Sequence, residues 1–201
     1  MIMKEFVIAT NNKKKLSEIQ RILAPLGIEP VTAADKGIDL GDVEENGSTF
    51  SENAYIKAKA AYDKCGLPVI ADDSGLCVDA LGGRPGIYSA RYGGHDSPYT
   101  VKIGMLLDEL KDVPAPDRTA HFSCAVCCIL KSGEVISVEG RCNGEIAAEP
   151  SGDGGFGYDP VFTVNGKSFA SLSSEEKDRL SHRGNALRML YDELHSRKED
   201  L

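Results

Sequence analysis

The sequence predicts an α/β protein with a mixed β-sheet. Near the N-terminus an apolar run, a turn and an amphipathic segment follow one another as strand, loop and helix. Farther along, two strand-like runs flank Ser132-Gly133, which is typical of a β-hairpin. Strand–loop–helix units favour parallel pairing and hairpins require antiparallel pairing, so both directions are expected in one sheet.

The first third of the chain contains the elements that begin this pattern. Residues 5–9 predict a strand, helical spacing of leucine and isoleucine over 16–26 predicts a helix, and residues 28–31 predict a second strand. A second helix follows a polar stretch. Either Ser48 or Thr49 is expected to cap it, because a glutamate stands at the capping-box position.

Periodicity and turn-forming residues divide the rest of the chain in the same way. The predicted elements are, in order, a strand at 67–71 that ends at Asp72 and Asp73, a helix at 99–110, a hairpin of 120–130 with 134–141, a strand at 160–162 and intermittent helix from 173 to about 197. Ser173-x-x-Glu176 is a capping box that starts the last segment.

Composition and charge exclude several classes of function. The 201 residues carry a formal net charge of −8. An acidic chain is a poor nucleic-acid binder, because neutralised phosphates supply most of that affinity. No apolar run approaches the roughly 18 residues that span a bilayer, so no membrane partner is expected. No secretory signal pattern precedes the first strand, and we therefore expect a cytoplasmic protein.

The six cysteines are expected to be thiols in such a compartment rather than a disulfide framework. Cys124 and Cys127 have the spacing of a zinc-binding pair, but they lie in a predicted strand. Side chains three positions apart in a strand point to opposite faces and chelate poorly. A structural zinc site is therefore not expected.

Two segments carry residue types that bind phosphate and a divalent metal. Residues 10–15 lie between a strand and a helix, where backbone amides and lysines attract an anion, and a solvated basic turn is the structural alternative. Asp72 and Asp73 end an apolar strand, and the Glu44-Glu45 pair could supply a further oxygen ligand for Mg²⁺. An Asx turn that caps the strand is the alternative there.

Three further segments carry hydrogen-bond donors or flat rings. Asn53 and Lys57 are four residues apart on one helix face, which is either a binding face or an exposed polar one. Residues 154–160 place aromatic side chains between glycines, where the rings either stack on a base or pack into the core. Residues 181–184, with Lys177 one turn earlier, offer donors to a carbonyl or phosphate oxygen, or are solvated.

The order and spacing of these segments resemble one family. The matching runs are 9–15, 44–58, 71–81, 85–93, 154–162 and 181–187, which span nearly the whole chain. On these runs the chain resembles the inosine triphosphate pyrophosphatase family, also called XTP/dITP diphosphatases. The resemblance implies a twisted mixed sheet flanked by helices, two lobes with a central substrate cleft, one domain over 1–201 and usually a homodimer.

The resemblance also implies which residues act. Asp73 corresponds to the proton acceptor and to a metal ligand, and Glu45 to a second ligand of Mg²⁺, although adjacent Glu44 leaves that register open by one. One or more Mg²⁺ per subunit is implied. The positions that match substrate-binding residues are Thr10, Asn11, Asn12, Lys13, Lys14, Lys15, Lys57, Ser74, Phe156, Gly157, Tyr158, Asp159, Lys177, His182 and Arg183. Asn11, Lys13 and Lys14 stand where many relatives have small residues, so the phosphate loop is expected to differ in detail.

The implied reaction is hydrolysis of a purine nucleoside triphosphate to the monophosphate and pyrophosphate, by attack of water at the α-phosphorus. His182 and Arg183 can donate to the C6 oxygen of inosine and xanthosine but face a donor in adenine, so ITP, dITP and XTP are expected over ATP. They are also expected over GTP, but guanine shares the C6 oxygen, so its rejection requires discrimination at C2. Two alternatives stay open. One is a pyrimidine-directed pyrophosphatase of the Maf family, and the other is a nucleotide-binding module without turnover.

Overall fold

The computed structural model describes residues 4–41 and 43–197, which contain seven β-strands and five α-helices. The strands are β1 Lys4–Ile8, β2 Ile28–Thr32, β3 Val69–Val78, β4 Thr119–Ile129, β5 Val135–Ile146, β6 Phe162–Val164 and β7 Lys167–Ser168. The helices are α1 Lys13–Leu23, α2 Phe50–Cys65, α3 Tyr99–Glu109, α4 Ser174–Leu180 and α5 His182–Ser196.

All seven strands form one sheet in the order β2-β1-β3-β4-β5-β6-β7. β1 runs parallel to both β2 and β3, whereas β6 runs antiparallel to both β5 and β7. The parallel pairs are those connected through helices, since a crossover is needed to bring the chain back in the same direction. The predicted α/β class with a mixed sheet is confirmed.

Several predicted strand boundaries are wrong. β5 continues past the predicted residue 141 to Ile146. β3 does not end at Asp72 and Asp73 but continues through them to Val78. The two carboxylates form ion pairs with cationic side chains, one on each face of the strand. Because these pairs replace solvent, both aspartates can lie inside the strand. In the later segment, Val161 and Phe162 donate their backbone N–H groups to the Tyr158 carbonyl, so residues 160–161 belong to a turn and the strand begins at Phe162.

The chain divides into two compact units. The first unit consists of described residues up to Asp73 together with 124–140 and those from His182 onward, and the second consists of 74–123 and 141–181. This division does not test the prediction of a single domain over residues 1–201, which stays a prediction. Within the described residues, no helix is long and apolar enough to cross a membrane.

The first unit has an apolar cluster on each face of its strands. Phe6, Ile8 and Ile70 pack with residues of α1 and α5, and the cluster on this α1/α5 face includes Cys124. The intervening strand residues, among them Val69 and Ala71, pack with the alanines of α2 in a cluster that includes Cys127. Alternation along β1 and β3 thus separates an α1/α5 face from an α2 face.

The cysteines follow the same alternation. Cys124 and Cys127 belong to different clusters, on opposite faces of β4, as the strand prediction requires. None of the six cysteines, all of which lie in the described part of the chain, forms a disulfide. Burial raises the pKa of Cys124 to about 12 and that of Cys127 to about 11, so both are protonated thiols at neutral pH.

The second unit has one apolar cluster of its own. Leu76 and Val78, at the end of β3, belong to it. At its centre, Phe162 lies between two other phenylalanines: its ring centroid is 4.6 Å from that of Phe122 and 4.9 Å from that of Phe169, both in edge-on geometry. Edge-to-face contacts of this kind stabilise a core beyond the area they bury.

Candidate functional site

The Asp73 carboxylate faces α2 and has two partners on that helix. Lys57 Nζ lies 3.3 Å from Asp73 Oδ1, and Asn53 Nδ2 donates to Asp73 Oδ2 at 3.2 Å. Lys57 Nζ also lies 3.1 Å from Glu45 Oε2, so one ammonium group contacts two carboxylates. Of the two neighbouring glutamates, Glu45 therefore reaches this lysine, whereas Glu44 is exposed.

Local sequence explains how α2 comes to present these side chains. Thr49 is the N-cap, and its hydroxyl accepts from the Glu52 backbone N–H at 3.1 Å. The Glu52 carboxylate accepts in turn from the backbone N–H and hydroxyl of Ser48, so the capping pair is shared between the two candidate residues. Asn53 is fully buried, and the Lys57 side chain is only 14% exposed, which makes this a buried polar face rather than a solvated one.

The charges around Asp73 shift both its own pKa and that of Lys57. Burial raises the pKa of Asp73, and the nearby Lys57 and Lys15 offset that rise only in part, while Glu45 adds to it. Burial alone would lower the pKa of Lys57, but the carboxylates of Asp73, Asp72 and Glu45 outweigh it and raise that pKa. Lys57 is therefore a cation at neutral pH, beside a carboxylate that is more basic than an ordinary aspartate.

Asp72 faces the opposite side of β3 and holds two cations there. Its Oδ2 atom lies 2.9 Å from Lys15 Nζ and 3.1 Å from Arg183 Nη2. Arg183 also contacts the Glu18 carboxylate, and the whole arginine is 1% exposed. Burial acts to raise the pKa of Asp72, but Lys15, Arg183 and Lys57 outweigh it and hold that pKa far below its usual range. Asp72 is therefore an anion at neutral pH.

The predicted phosphate loop leads directly into α1. Asn12 is the N-cap, and its side-chain oxygen accepts from the backbone N–H groups of Lys14 at 3.0 Å and Lys15 at 3.2 Å. The Thr10 hydroxyl accepts from the Asn12 N–H at 3.1 Å. Asn12 and Thr10 thus order the loop, and the Lys13 and Lys14 side chains are exposed beside it. Three lysines at a helix N-terminus oppose the helix dipole, a cost that a bound anion relieves.

The glycine-rich segment of the second unit is organised around Asp159. Its Oδ2 atom accepts from the Phe156 backbone N–H at 2.7 Å and lies 2.7 Å from Lys177 Nζ. Lys177 Nζ in turn lies 4.5 Å from the centroid of the Phe156 ring. A side chain at Gly155 would collide with Asp159 Oδ2, at 2.2 Å from an added Cβ, so the loop can close in this way only with glycine there.

The other predicted residues of this region take different positions. The Tyr158 ring is buried, meets Tyr99 edge-on at 5.4 Å and donates its hydroxyl to the Ser89 carbonyl at 3.1 Å, so it belongs to the core. Phe156 is half-buried, and Gly157 lies beside Tyr99. Ser74 follows Asp73 in β3 and is half-buried, and His182 is buried at the first position of α5.

The predicted residues divide between the two units of the chain. The set in the first unit is Thr10, Asn12, Lys15, Glu45, Lys57, Asp73, His182 and Arg183. The set in the second unit is Ser74, Phe156, Gly157, Tyr158, Asp159 and Lys177. The exposed residues Asn11, Lys13 and Lys14 border the first set.

A divalent cation fits the donors around Lys57. Magnesium is usually held by one or two carboxylates, with waters and substrate phosphates as the other ligands. Glu45 and Asp73 offer two such hard oxygen donors, and both already contact one cation, the Lys57 ammonium. In the described part of the chain, no group of three or more His, Cys, Asp and Glu residues is arranged to hold a metal.

Three residues of this region were not among the predicted site residues. In the sequence, Asp72 stands out only as the neighbour of Asp73, and Asn53 only by its spacing from Lys57. Sequence spacing alone places both residues. Alternation puts Asp72 on the face of β3 opposite Asp73, and the i,i+4 rule puts Asn53 on the face of α2 that carries Lys57. Glu18 gave no signal in the sequence, because its partner Arg183 is 165 residues away.

The chain is similar to known proteins over nearly its whole length. The profile of the Ham1 family matches residues 6–193. The chain belongs to the Ham1 family. It is 50% identical over 190 residues to the dITP/XTP pyrophosphatase of Geobacillus kaustophilus, covering 94% of this chain and 93% of that protein. Identity to the dITP/XTP pyrophosphatase of Halalkalibacterium halodurans is 48% over 190 residues, covering 94% and 97%. A Ham1 protein from Coxiella burnetii has a similar solved structure, with a TM-score of 0.86, 40% identity and coverage of 96% of this chain and 100% of that one.

Proposed function

We propose that this Ham1 protein hydrolyses the non-canonical purine nucleoside triphosphates ITP, dITP and XTP to the monophosphate and pyrophosphate. The observation that carries the proposal is the contact of one half-buried lysine, Lys57, with the two carboxylates of Glu45 and Asp73. The name dITP/XTP pyrophosphatase, borne by relatives that are 48% and 50% identical over nearly their whole length, supports the same reaction.

Asp73 is the proposed proton acceptor. Attack of water at the α-phosphorus requires removal of a proton from that water, and a base works best when its pKa approaches the working pH. Burial shifts the pKa of Asp73 in that direction. The bond from Asn53 to Oδ2 and the contact of Lys57 with Oδ1 fix the orientation of the carboxylate.

Glu45 and Asp73 are the proposed ligands of Mg²⁺. When bound, this ion neutralises phosphate charge and acts as a Lewis acid on a phosphoryl oxygen. The chain itself supplies the remaining positive charge. Lys57 is kept protonated by its carboxylate neighbours, and Lys15 stands at the phosphate loop, so both are proposed to stabilise charge on the leaving pyrophosphate.

The phosphate loop is proposed to bind the triphosphate through residues 10–15. Asn12 already caps two backbone amides, so its proposed part is to hold the loop in shape, with the Thr10 hydroxyl as its partner. The exposed side chains of Asn11, Lys13 and Lys14 add donors and positive charge around this loop.

Selection of the base is proposed to depend on stacking against an aromatic ring and on hydrogen-bond donors. The half-buried Phe156 ring offers a flat surface, within a loop formed with Gly157 and Tyr158 and held by Asp159 and Lys177. His182 and Arg183 are the proposed donors toward the C6 oxygen, with Ser74 beside the catalytic carboxylate. Because Arg183 is held by two carboxylates, it acts from a fixed position, which sharpens discrimination against adenine.

The proposed assembly and location follow the family resemblance: a single-domain protein that acts as a homodimer in the cytoplasm. Light scattering coupled to size-exclusion chromatography tests the dimer directly. A monomer at micromolar concentration would contradict that part of the proposal without affecting the reaction.

The deciding experiment is pyrophosphate release from ITP, dITP, XTP, GTP, ATP and dTTP with Mg²⁺. Release from the first three substrates at the highest kcat/KM supports the proposal. Comparable kcat/KM values for GTP and ITP would contradict the proposed base selection. Turnover of dTTP alone would indicate a pyrimidine-directed enzyme, and nucleotide binding without release would indicate a binding module.

A further inference from the structure

Asn53 connects two parts of the first unit that are far apart in the chain. It lies in the first turns of α2 and is completely buried, beside the alanines of the α2 face. Its Oδ1 atom accepts from the Gly47 backbone N–H at 2.9 Å, and its Nδ2 atom donates to Asp73 Oδ2 at 3.2 Å. One side chain therefore joins the segment that carries Glu45 to the strand that carries Asp73.

The chemistry of these two bonds fixes the amide in one orientation. A backbone N–H needs an acceptor and a carboxylate needs a donor. Rotating the Asn53 amide by a half-turn would set donor against donor at Gly47 and acceptor against anion at Asp73. Aspartate supplies no donor and leucine supplies neither group, so only the amide satisfies both partners at this length.

The backbone of Gly47 lies close against the Asn53 side chain. A Cβ atom at this position would lie 2.7 Å from Asn53 Oδ1 and 2.7 Å from Glu52 Cβ, closer than such atoms come in folded proteins. The absence of a side chain is what allows the Gly47 amide to reach the asparagine. The contact thus depends on both residues.

The bonds close a ring around the two carboxylates. Asn53 contacts Asp73 and the segment of Glu45, and one helical turn later Lys57 contacts Asp73 Oδ1 and Glu45 Oε2. The separation of the carboxylates is therefore set at two levels of α2. One level is the Lys57 ammonium, and the other is the buried neutral amide of Asn53 with its two directed bonds.

We propose that Asn53, together with Gly47, is a positioning residue that holds Glu45 and Asp73 at the spacing required to bind a divalent cation. This inference rests on the proposed function, because it takes the two carboxylates as the metal ligands. Partners that orient metal ligands in this way typically change metal affinity by about 10–100-fold when they are removed.

The test measures Mn²⁺ binding to the purified, metal-free protein by electron paramagnetic resonance. Thermal unfolding of the same proteins is measured in parallel. Asn53→Leu is expected to weaken Mn²⁺ binding by about 10–100-fold. Asn53→Asp keeps the acceptor for Gly47 and is expected to bind Mn²⁺ more tightly than Asn53→Leu. Ser51→Ala, an exposed position on the same helix, is the control and should bind Mn²⁺ like the wild type.

Gly47→Ala provides a second route that leaves the polar groups of α2 unchanged. It is expected to weaken Mn²⁺ binding in the same direction, and it decides the question if Asn53→Leu does not fold. A lower melting temperature with wild-type Mn²⁺ affinity in both variants would show a structural role only and would overturn the inference.

Pyrophosphate release separates this inference from the proposed function. If the wild type releases no pyrophosphate from any nucleotide while the Mn²⁺ contrast between variants persists, the proposed reaction fails and the positioning role stands. If the wild type hydrolyses ITP and Asn53→Leu binds Mn²⁺ as the wild type does, the reaction stands and the positioning role is overturned.

Discussion

Asp72 and Asp73 are neighbours in β3, and their carboxylates are held by lysines of different helices on opposite faces of the strand. Asp72 Oδ2 lies 2.9 Å from Lys15 Nζ at the start of α1, and Asp73 Oδ1 lies 3.3 Å from Lys57 Nζ on α2. Their pKa values move in opposite directions, that of Asp72 downward and that of Asp73 upward. Two adjacent carboxyl groups whose pKa values are driven apart are suited to different roles, one as a fixed charge and the other as a base.

Replacing Asp73 tests its proposed role as the base. Asp73→Asn is expected to lower kcat for ITP by about 10²–10⁴-fold, the usual contribution of a positioned proton acceptor. The melting temperature should fall little, because the amide keeps the shape of the side chain and removes a buried charge. Asp63→Asn, which breaks an exposed pair with Lys59 on α2, is the control and should leave kcat unchanged. More than half of the wild-type kcat in Asp73→Asn would contradict the assignment.

Lys57 is expected to lower the pKa of Asp73 in the native protein. A cation beside a carboxyl group favours its charged form, so removing the ammonium in Lys57→Met should raise the pKa of Asp73 further. The measurement is a carbon-13 NMR titration of the Asp73 carboxyl in metal-free protein, where no divalent ion competes. Lys59→Met, whose lysine is paired with Asp63, should leave that titration unchanged. An Asp73 pKa that stays constant or falls in Lys57→Met would be inconsistent with this electrostatic account.

The buried ion pairs of Asp72 should make stability depend on pH at the acid end. Removing one partner of a buried pair costs about 3–5 kcal/mol, so Asp72→Asn is expected to lower the free energy of unfolding by roughly that amount at neutral pH. The folded pKa of Asp72 is depressed, so its contribution is present above the unfolded value of about 3.9 and is lost as the pH falls below it. The difference in free energy of unfolding between the wild type and Asp72→Asn, measured by urea unfolding, should therefore narrow below about pH 4. A difference that is constant from neutral to acid pH would refute the linkage.

Phe156 is expected to contribute to ITP hydrolysis by stacking its flat ring on the base, and not through its apolar volume. Base stacking contributes about 1–3 kcal/mol, so Phe156→Ala should lower kcat/KM for ITP by about 10–100-fold. Phe156→Leu keeps apolar volume but lacks the flat face, and it should lose nearly as much. Inorganic tripolyphosphate has no base, and its inhibition constant should be the same for all three proteins. Equal losses for ITP and tripolyphosphate would show that the loop as a whole has been disturbed.

Local periodicity was sufficient to locate most elements. The hairpin around Gly133 and the capping box at Ser173 lie where sequence spacing placed them, and the first helix begins at Lys13, three residues before the predicted start. Each depends on residues within a few positions of one another, which is the range that propensity and capping describe.

The extent of β3 could not be inferred in this way. Two consecutive aspartates normally interrupt a strand, and here they do not, because Asp72 meets Lys15 from 57 residues before it and Arg183 from 111 residues after it. Such pairings are properties of the tertiary structure. The same limit applies to Asn53, whose spacing from Lys57 was visible but whose bond to Gly47 depends on how the preceding segment folds back.

The order in which the chain is synthesised gives the Arg183 contact a further consequence. Asp72, Lys15 and Glu18 leave the ribosome long before Arg183, although all four meet in the same buried cluster. Until the start of α5 emerges, the nascent first unit carries two carboxylates and only one of their cations in its interior. Arg183 therefore completes this cluster last, and folding of this unit is expected to finish only after residue 183 has been synthesised.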